Sequence, residues 1–332
     1  MPQRRWWLAP AALSLLGCGG PFPQSTLHPR SDFARATDTL FTNIFWWAAG
    51  VFVVVELLLL VALVRFRHRE GRPAPRPTHG HTLLEIAWTL APAVILVFVA
   101  VPTVRTIFVT AGDAPRDALK VEVIGHQWWW EYKYPDLAIT TADEMHVPAG
   151  TTVRVAITSA DVIHSFWAPR LGGKRDAIPG QTNYIAFLAD SVGDLPGQCA
   201  EFCGASHANM RLRVIVDSAA AFRAWVQDQQ RPPATPSKAS LPEEGRAVYA
   251  RSACIGCHTI QGVSPGVIGP NLTHVGSRAT IAGGIFPNDS GHLAAWIADA
   301  PSLKPGAIMT RMKPPLTDAD IAALVAYLES LK

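Results

Sequence analysis

Charged residues are scarce in this chain. Asp, Glu, Lys and Arg together make up 17% of its 332 residues, and the formal net charge is only +3. An ordinary soluble domain carries about 25% charged residues, so the composition excludes a wholly soluble protein. Hydrophobic residues make up 49%, which is still too few for a bundle of membrane helices alone. The composition therefore predicts separate membrane and soluble parts.

Cysteine is scarce too, and every cysteine falls in a short motif. The five cysteines are Cys18, Cys199, Cys203, Cys254 and Cys257. The first stands alone and the others form two close pairs, so none is left over for a structural disulfide between distant segments. The cysteines therefore mark three local sites rather than a disulfide framework.

The amino-terminal segment has the layout of a secretion signal. Arg4 and Arg5 precede an apolar stretch that ends in LLGC at residues 15–18. This ending is similar to a lipoprotein processing site. We therefore expect a signal peptide at residues 1–17, a lipid on Cys18 and an external segment at residues 18–39. An uncleaved anchor with an idle cysteine is the alternative.

Two apolar runs, Leu40–Val64 and Leu83–Val104, are each long enough to cross a membrane. The loop between them is rich in arginine: Arg65, Arg67, Arg69, Arg72 and Arg76. Because an excess of Arg marks the cytoplasmic side, the amino terminus and everything after Thr106 are predicted to lie outside. A transmembrane hairpin at residues 40–112 follows. Glu56, deep in the first run, is expected to pack against a partner subunit, with a proton path as the alternative.

The charges divide along the chain. Residues 1–112 hold ten Arg and five acids, whereas residues 113–229 hold fourteen acids and ten bases. The basic excess thus follows membrane topology and gives no reason to expect a nucleic-acid partner. The acidic segment instead suits the docking of a basic or dipolar partner.

The pattern changes to alternating apolar residues between about Lys120 and Val216. Segments such as TTVRVAIT and RLRVIV, bounded by Gly, Pro and Asp, are typical of a small all-β sandwich. Ala219–Gln229 is predicted to form a helix that completes this domain at residues 113–229. Residues 230–241 are rich in Pro and Ser, which indicates a semi-rigid linker.

A cluster of soft metal ligands lies within this β region. Cys199, Cys203, His207 and Met210 form a Cys-x3-Cys-x3-His-x2-Met run, and His164 lies upstream after a predicted strand. A single electron-transfer copper needs one Cys, so two Cys, two His and one Met point instead to two coppers that share bridging sulfurs. A Cys199–Cys203 disulfide is the alternative, since thiols of exported proteins tend to oxidise.

A second metal motif follows the linker. Cys254, Cys257 and His258 form Cys-x-x-Cys-His, the attachment signal of a c-type haem, in which both thiols bond the haem and His258 binds its iron. A redox Cys-x-x-Cys is the alternative. The rest of residues 242–332 resembles a small cytochrome c domain, including a final helix with Thr317 as its N-cap. This resemblance implies Met309 as the sixth iron ligand, and Met312 remains an alternative.

The copper loop, together with the segments VIHSFWAPRLGGKRDAIPG and GHQWWWEYKY, resembles subunit II of haem–copper cytochrome c oxidases. The resemblance runs from about Leu40 to Val216. It implies a cupredoxin fold and a binuclear copper centre, CuA, bound by the side chains of His164, Cys199, Cys203, His207 and Met210 and by the backbone carbonyl of Glu201.

The same resemblance implies further roles. It implies that Trp128 is the residue through which electrons reach the copper centre, with core packing or a membrane-interface belt as the alternative. It also implies that the Glu201 carboxylate helps to bind a magnesium ion shared with the catalytic subunit, with Asp176 nearby. Glu85 corresponds to the mouth of a proton channel, although a solvated interfacial Glu is equally compatible with its position. Side chains alternate between the faces of a strand, so we expect at least one ring of Trp128–Trp130 to lie at a surface.

We therefore predict a multidomain chain: a two-helix transmembrane hairpin, an all-β cupredoxin-like sandwich and an all-α cytochrome c domain. Its predicted function is electron input to a membrane cytochrome c oxidase of the bacterial inner membrane, with copper and haem on the periplasmic side. The expected partners are catalytic subunit I, other oxidase subunits, membrane lipid, and cytochrome c or a quinol-oxidising complex as donor. Input to a nitric oxide reductase, input to a nitrous oxide reductase and copper delivery during assembly are the alternatives.

Overall fold

The computed structural model describes residues 22–68, 70–71, 77, 79–309 and 315–332. The predicted signal peptide, Cys18, part of the arginine-rich loop and Met312 lie outside these residues. The described chain contains the three expected parts: a pair of long helices, a β-sandwich and a small helical domain. The predicted fold class is thereby confirmed.

Helices α1 (Asp32–Arg65) and α2 (Thr82–Thr110) form the hairpin, and both are long and apolar enough to cross a membrane. Their large apolar side chains are exposed along most of each helix, as expected for helices covered by lipid or by other membrane helices. The first helix begins well before the apolar run at Leu40. The fully buried Ser31 explains this early start, since its hydroxyl accepts from the Ala34 N–H and donates to the Leu171 carbonyl of the sandwich.

The sandwich contains two five-stranded sheets. One has the order β3-β2-β1-β5-β8, and the other has the order β4-β10-β9-β6-β7. The strands are β1 (Leu119–His126), β2 (Trp129–Tyr134), β3 (Ile139–Ala142), β4 (Glu144–Pro148), β5 (Thr152–Ser159), β6 (His164–Trp167), β7 (Arg175–Ala177), β8 (Asn183–Leu188), β9 (Gly193–Cys199) and β10 (Arg211–Asp217). Alternate residues of these strands are buried between the sheets. The alternation of apolar residues in the sequence therefore correctly indicated which side chains face the core.

Helix α3 (Ala219–Gln230) closes one end of the sandwich. Its Trp225 packs against Tyr134 and stacks on the His146 ring at 4.6 Å between centroids. Residues 231–240 then lead to the helical domain, with α4 (Leu241–Arg251), α5 (Cys254–Cys257), two short strand pairs, α6 (Ser290–Leu303) and α7 (Asp318–Ser330). Thr317 caps α7 as predicted, in a capping box with Asp320. The short strands are β11 (Thr259–Ile260), β12 (Ser264–Pro265), β13 (Thr280–Ile281) and β14 (Phe286–Pro287).

The core of the helical domain forms where α4 crosses α7. A Cβ on Gly245 would lie against the backbone of Ala323, so only glycine allows the two helices to come this close. Tyr249 and Tyr327 pack edge to face beside this crossing and are almost fully buried. The crossing supports the short helix α5, which carries the Cys-x-x-Cys pair.

Candidate copper and haem sites

The soft ligands of the copper motif meet at one end of the sandwich. His164 begins β6 and Cys199 ends β9, and these two strands pair antiparallel. The loop after Cys199 then carries Cys203 and His207 back to Met210, whose backbone carbonyl accepts from the Cys199 N–H at 2.9 Å. Strand pairing therefore brings the upstream histidine to a loop that the sequence already fills with ligands.

The donor atoms are close enough to share metal ions. The ligand atoms of His164, Cys199 and Cys203 all lie within 4.8 Å of one another. The individual separations are Cys199 Sγ–Cys203 Sγ 3.8 Å, Cys199 Sγ–His164 Nδ1 3.9 Å, Cys203 Sγ–His207 Nδ1 3.5 Å, Cys203 Sγ–Met210 Sδ 3.9 Å and Cys199 Sγ–Glu201 O 3.2 Å. Two thiolates flanked by imidazoles and a thioether form a donor set that fits copper. At 3.8 Å the two sulfurs are not bonded, so the structure does not adopt the disulfide alternative.

Burial and neighbouring groups shift the pKa values of these ligands. His164 is fully buried, which lowers its pKa, but hydrogen bonds with Asp161 and Cys199 outweigh burial and raise it overall. Its Nε2 lies 2.7 Å from the Asp161 carboxylate, which leaves Nδ1 toward the sulfurs. The contact between the two sulfurs lowers the pKa of Cys199 and raises the pKa of Cys203. One thiolate is therefore favoured before any metal binds.

A cavity of about 740 Å³ lies beside the Cys-x-x-Cys helix. It is lined by Cys254, Cys257, His258 and Met309, by apolar residues including Leu293, Trp296, Ile297 and Leu324, and by Gln127, Trp128 and Trp129 of the sandwich. This volume is in the usual range for a cofactor site, about 300–1,000 Å³. Met309 thus lies on the cavity wall as the haem hypothesis requires.

His258 is oriented for a metal within this cavity. Its Nδ1 lies 2.8 Å from the Pro270 carbonyl, so Nε2 is the nitrogen left available. Burial lowers the pKa of His258 and so favours the neutral ring, the form that binds iron. A Cβ on Gly269 would lie 2.5 Å from this ring, so the glycine makes room for it. The residues present therefore fit a haem attached through Cys254 and Cys257.

Trp128 lies between the two sites. Its indole N–H donates to the Cys203 carbonyl at 3.0 Å, and its side chain also lines the haem cavity. Trp130 is fully buried in the sandwich, and the half-buried Trp129 stacks on His126 at 4.2 Å between ring centroids. Trp128 is only 8% exposed because the helical domain covers it. A Cβ on Gly306 of that domain would lie 2.6 Å from the Trp128 ring.

Three buried charged residues between the domains were not found from the sequence. The Lys304 ammonium donates to the carbonyls of Trp128 at 2.6 Å and Ala282 at 2.7 Å, and Asp143 and Glu144 lie on the sandwich side. Burial lowers the pKa of Lys304 to about 8 and raises the pKa of Asp143. No local motif marks these residues, because each contact joins positions far apart in the chain.

The remaining predicted site residues carry exposed carboxylates. The Glu201 side chain is exposed beside the copper loop, and Asp176 is exposed on β7, where it pairs with Ser165. Glu85 is exposed in the first turn of α2, and Glu56 is exposed within α1. Exposure of these carboxylates leaves them available to partner subunits.

Comparison with known proteins gives matches along most of the chain. Residues 28–106 match the family described as cytochrome c oxidase subunit II, transmembrane domain, and residues 137–218 match its periplasmic domain. Residues 242–332 match cytochrome c. The periplasmic domain of subunit II of the Bradyrhizobium japonicum cytochrome oxidase is 36% identical, with a TM-score of 0.35, over 36% of this chain and 97% of that one.

Two curated relatives match at nearly full length. "Cytochrome c oxidase subunit 2" of Alkalihalophilus pseudofirmus is 37% identical over 327 residues, which cover 96% of this chain and 94% of the relative. The protein of the same name from Bacillus subtilis is 34% identical over 98% of this chain and 96% of the relative. The chain therefore belongs to the cytochrome c oxidase subunit II family, with a cytochrome c domain at residues 242–332, and is a subunit of an oxidoreductase complex.

Proposed function

We propose that this chain is the electron-input subunit of a haem–copper cytochrome c oxidase and that electrons cross it from its own haem c to CuA. The observation that carries this proposal is the position of Trp128. One indole ring lines the haem cavity and donates a hydrogen bond to the carbonyl of Cys203 in the copper loop. A single side chain thus links the two sites.

The copper centre is assigned to the side chains of His164, Cys199, Cys203, His207 and Met210 and to the Glu201 carbonyl. Copper bound there supplies one-electron redox chemistry, and haem c supplies the same chemistry in its cavity. The protein residues hold these groups still: Asp161 fixes the His164 ring and the Pro270 carbonyl fixes His258. Little rearrangement of ligands is then needed when an electron arrives.

Cys254 and Cys257 would attach the haem, and His258 and Met309 would bind its iron. The position of Met309 on the wall of the cavity supports its assignment, and Met312 remains the alternative. The exposed carboxylate of Glu201 is assigned to a magnesium ion at the border with the catalytic subunit. Trp128 is assigned to electron input at CuA, and Glu85 to a proton-channel mouth in the membrane interface.

The two long apolar helices and the arginine-rich loop between them support an assignment of the parts of the chain to compartments. We propose a signal peptide at residues 1–17, an external segment at 18–39, the hairpin at 40–112, the copper domain at 113–229, the linker at 230–241 and the haem domain at 242–332. The helices cross the bacterial inner membrane, and both metal domains lie on the periplasmic side. Subunit I receives the electron, and cytochrome c or a quinol-oxidising complex delivers it. The names of the full-length relatives favour this function over nitric oxide reduction or copper delivery.

The test is a Trp128→Phe variant of the assembled oxidase. After rapid photoreduction of haem c, transfer to copper is followed at the absorption bands of the two centres. We expect the variant to slow this transfer because phenylalanine cannot donate to Cys203. Trp129→Phe is the matched control, since Trp129 lines the same cavity but stacks on His126. Equal rates in both variants and the wild type would remove Trp128 from the electron path.

A further inference from the structure

A carboxylate of the copper domain is held by the haem domain. Glu144 begins β4 of the sandwich and is 4% exposed. One of its oxygens accepts from the Thr280 N–H at 2.8 Å and the Thr280 hydroxyl at 2.7 Å, and the other accepts from the Ala279 N–H at 3.1 Å. All three donors belong to the haem domain.

The hydrogen bonds of Glu144 favour docking of the haem domain on the copper domain. A buried carboxylate is costly unless hydrogen bonds replace its water, and here the donors of those bonds lie across the domain boundary. Separation of the domains would return Glu144 to water and leave the Ala279 and Thr280 donors without their acceptor. A hydrogen bond to a charged group contributes more than one between neutral groups. The contact therefore favours one docked arrangement over a loosely tethered one.

Further contacts surround Trp128 in the same arrangement. Lys304 donates to the Trp128 carbonyl, and the Ser206 hydroxyl of the copper loop donates to the Pro305 carbonyl at 2.6 Å. The Arg211 N–H donates to the carbonyl of Gly283 at 3.0 Å. The haem domain thus closes over the face through which CuA is proposed to receive electrons.

We propose that Glu144 is a positioning residue that anchors the haem domain on the copper domain, and that this docking reserves Trp128 for the fused haem and closes it to soluble donors. The inference rests on the proposed electron path through Trp128. Glu144 acts through the N–H groups of Ala279 and Thr280 and the Thr280 hydroxyl, and among the described residues none of its side-chain hydrogen bonds joins it to a copper donor. Its loss should therefore change access and transfer while both metal centres remain.

The experiment compares Glu144→Gln with wild type in the assembled oxidase. Glutamine keeps the shape of the side chain but replaces one accepting oxygen with a donating NH₂, which faces an N–H group. Glu122→Gln is the matched control, because Glu122 is an exposed glutamate of the same domain. Copper and haem contents and both reduction potentials are measured first, to establish that each variant is folded and loaded.

Two measurements then report on the contact between the haem domain and the copper domain. Hydroxyl-radical footprinting with mass spectrometry measures the rate at which Trp128 is oxidised, without reference to turnover. Loss of hydrogen bonds to a buried charge should lower the docking constant, so we expect this rate to rise about tenfold in Glu144→Gln. Photoreduction measures haem-to-copper transfer, which we expect to slow, while added soluble cytochrome c begins to reduce copper directly in a salt-dependent reaction.

Protection of Trp128 tests the docked junction, and haem-to-copper transfer tests the electron path. Trp128 that is protected in wild type and in Glu122→Gln but exposed in Glu144→Gln supports the inference. Rapid oxidation of Trp128 in wild type, or full protection in Glu144→Gln, overturns it. Protection of Trp128 without any haem-to-copper transfer in wild type would instead overturn the proposed electron path while supporting the closed junction.

If Glu144→Gln fails to assemble, Thr280→Val is used instead. This variant removes the hydrogen bond from the Thr280 hydroxyl to Glu144, and Trp128 oxidation is measured by the same footprinting. A rise in Trp128 oxidation supports the anchor, and an unchanged rate overturns it.

Discussion

The copper site and the haem cavity are built in different ways. Every proposed copper ligand lies between residues 164 and 210, inside one sandwich domain. The haem cavity is lined by a set of described residues between Tyr249 and Leu328 together with Gln127, Trp128, Trp129 and Asp143 from the sandwich. One site is complete within its domain, and the other is completed only when two domains dock. Loss of docking should therefore alter the surroundings of the haem and spare the copper ligands.

The largest expected effect comes from Cys199→Ser. Replacement of one thiolate removes a proposed bridge between two metal ions, so we expect the binuclear copper signal to vanish while haem remains. Metal analysis and electron spin resonance of the purified complex measure this. Cys254→Ser is the reciprocal control, expected to lose a covalent haem bond and keep two coppers. A single copper with an ordinary one-ion spectrum in the wild type would contradict the binuclear site.

Removal of residues after Arg231 should have the next largest effect. The copper ligands are untouched, so we expect the shortened subunit to assemble with its copper centre but to lose rapid turnover at low donor concentration. Trp128 then becomes accessible, and excess soluble cytochrome c should restore turnover with second-order, salt-dependent kinetics. Oxygen consumption against donor concentration and salt measures this. Unchanged turnover at low donor concentration would exclude the fused haem from the main path.

Met309→Leu should change the haem without disturbing the copper. Loss of the thioether is expected to abolish the sulfur-to-iron absorption band and to lower the haem potential, because a Met ligand raises it. Met312→Leu is the matched comparison and should leave both properties close to wild type. Optical spectra with potentiometric titration measure the effect, and the opposite pattern would move the ligand to Met312.

The smallest expected effect is a pH dependence of docking. Lys304 has an ordinary pKa near 10.4 when exposed, and burial lowers it to about 8 in the docked form. Between these values the docked form holds fewer protons than the separated form, so docking should strengthen as pH rises from about 8 to about 10. Asp143 faces Lys304 and opposes the shift.

Trp128 footprinting across this pH range measures that dependence. Lys304→Met should remove it, whereas Lys238→Met, an exposed lysine of the linker, should retain it. If the rate of Trp128 oxidation depends on pH to the same extent in both variants, a group other than Lys304 is responsible for the pH dependence.

The membrane helices, the sandwich and the α7 cap were predictable because each depends on a local pattern. Apolar runs identified the hairpin, alternation identified strands such as β5 and β10, and Thr317 identified the start of α7. The early start of α1 at Asp32 was not predictable. It depends on the contact between Ser31 and Leu171, which join the membrane part to the sandwich only in the folded chain.

The sequence by itself identified most of the candidate metal ligands, because Cys199 to Met210 and Cys254 to His258 are two short runs that each gather several of them. Only the tertiary structure decided how the two sites meet. The Glu144–Thr280 and Trp128–Lys304 contacts join residues 136 and 176 positions apart. No periodicity or spacing marks such a pair, because a charge becomes buried and acquires its partner only when two domains pack together.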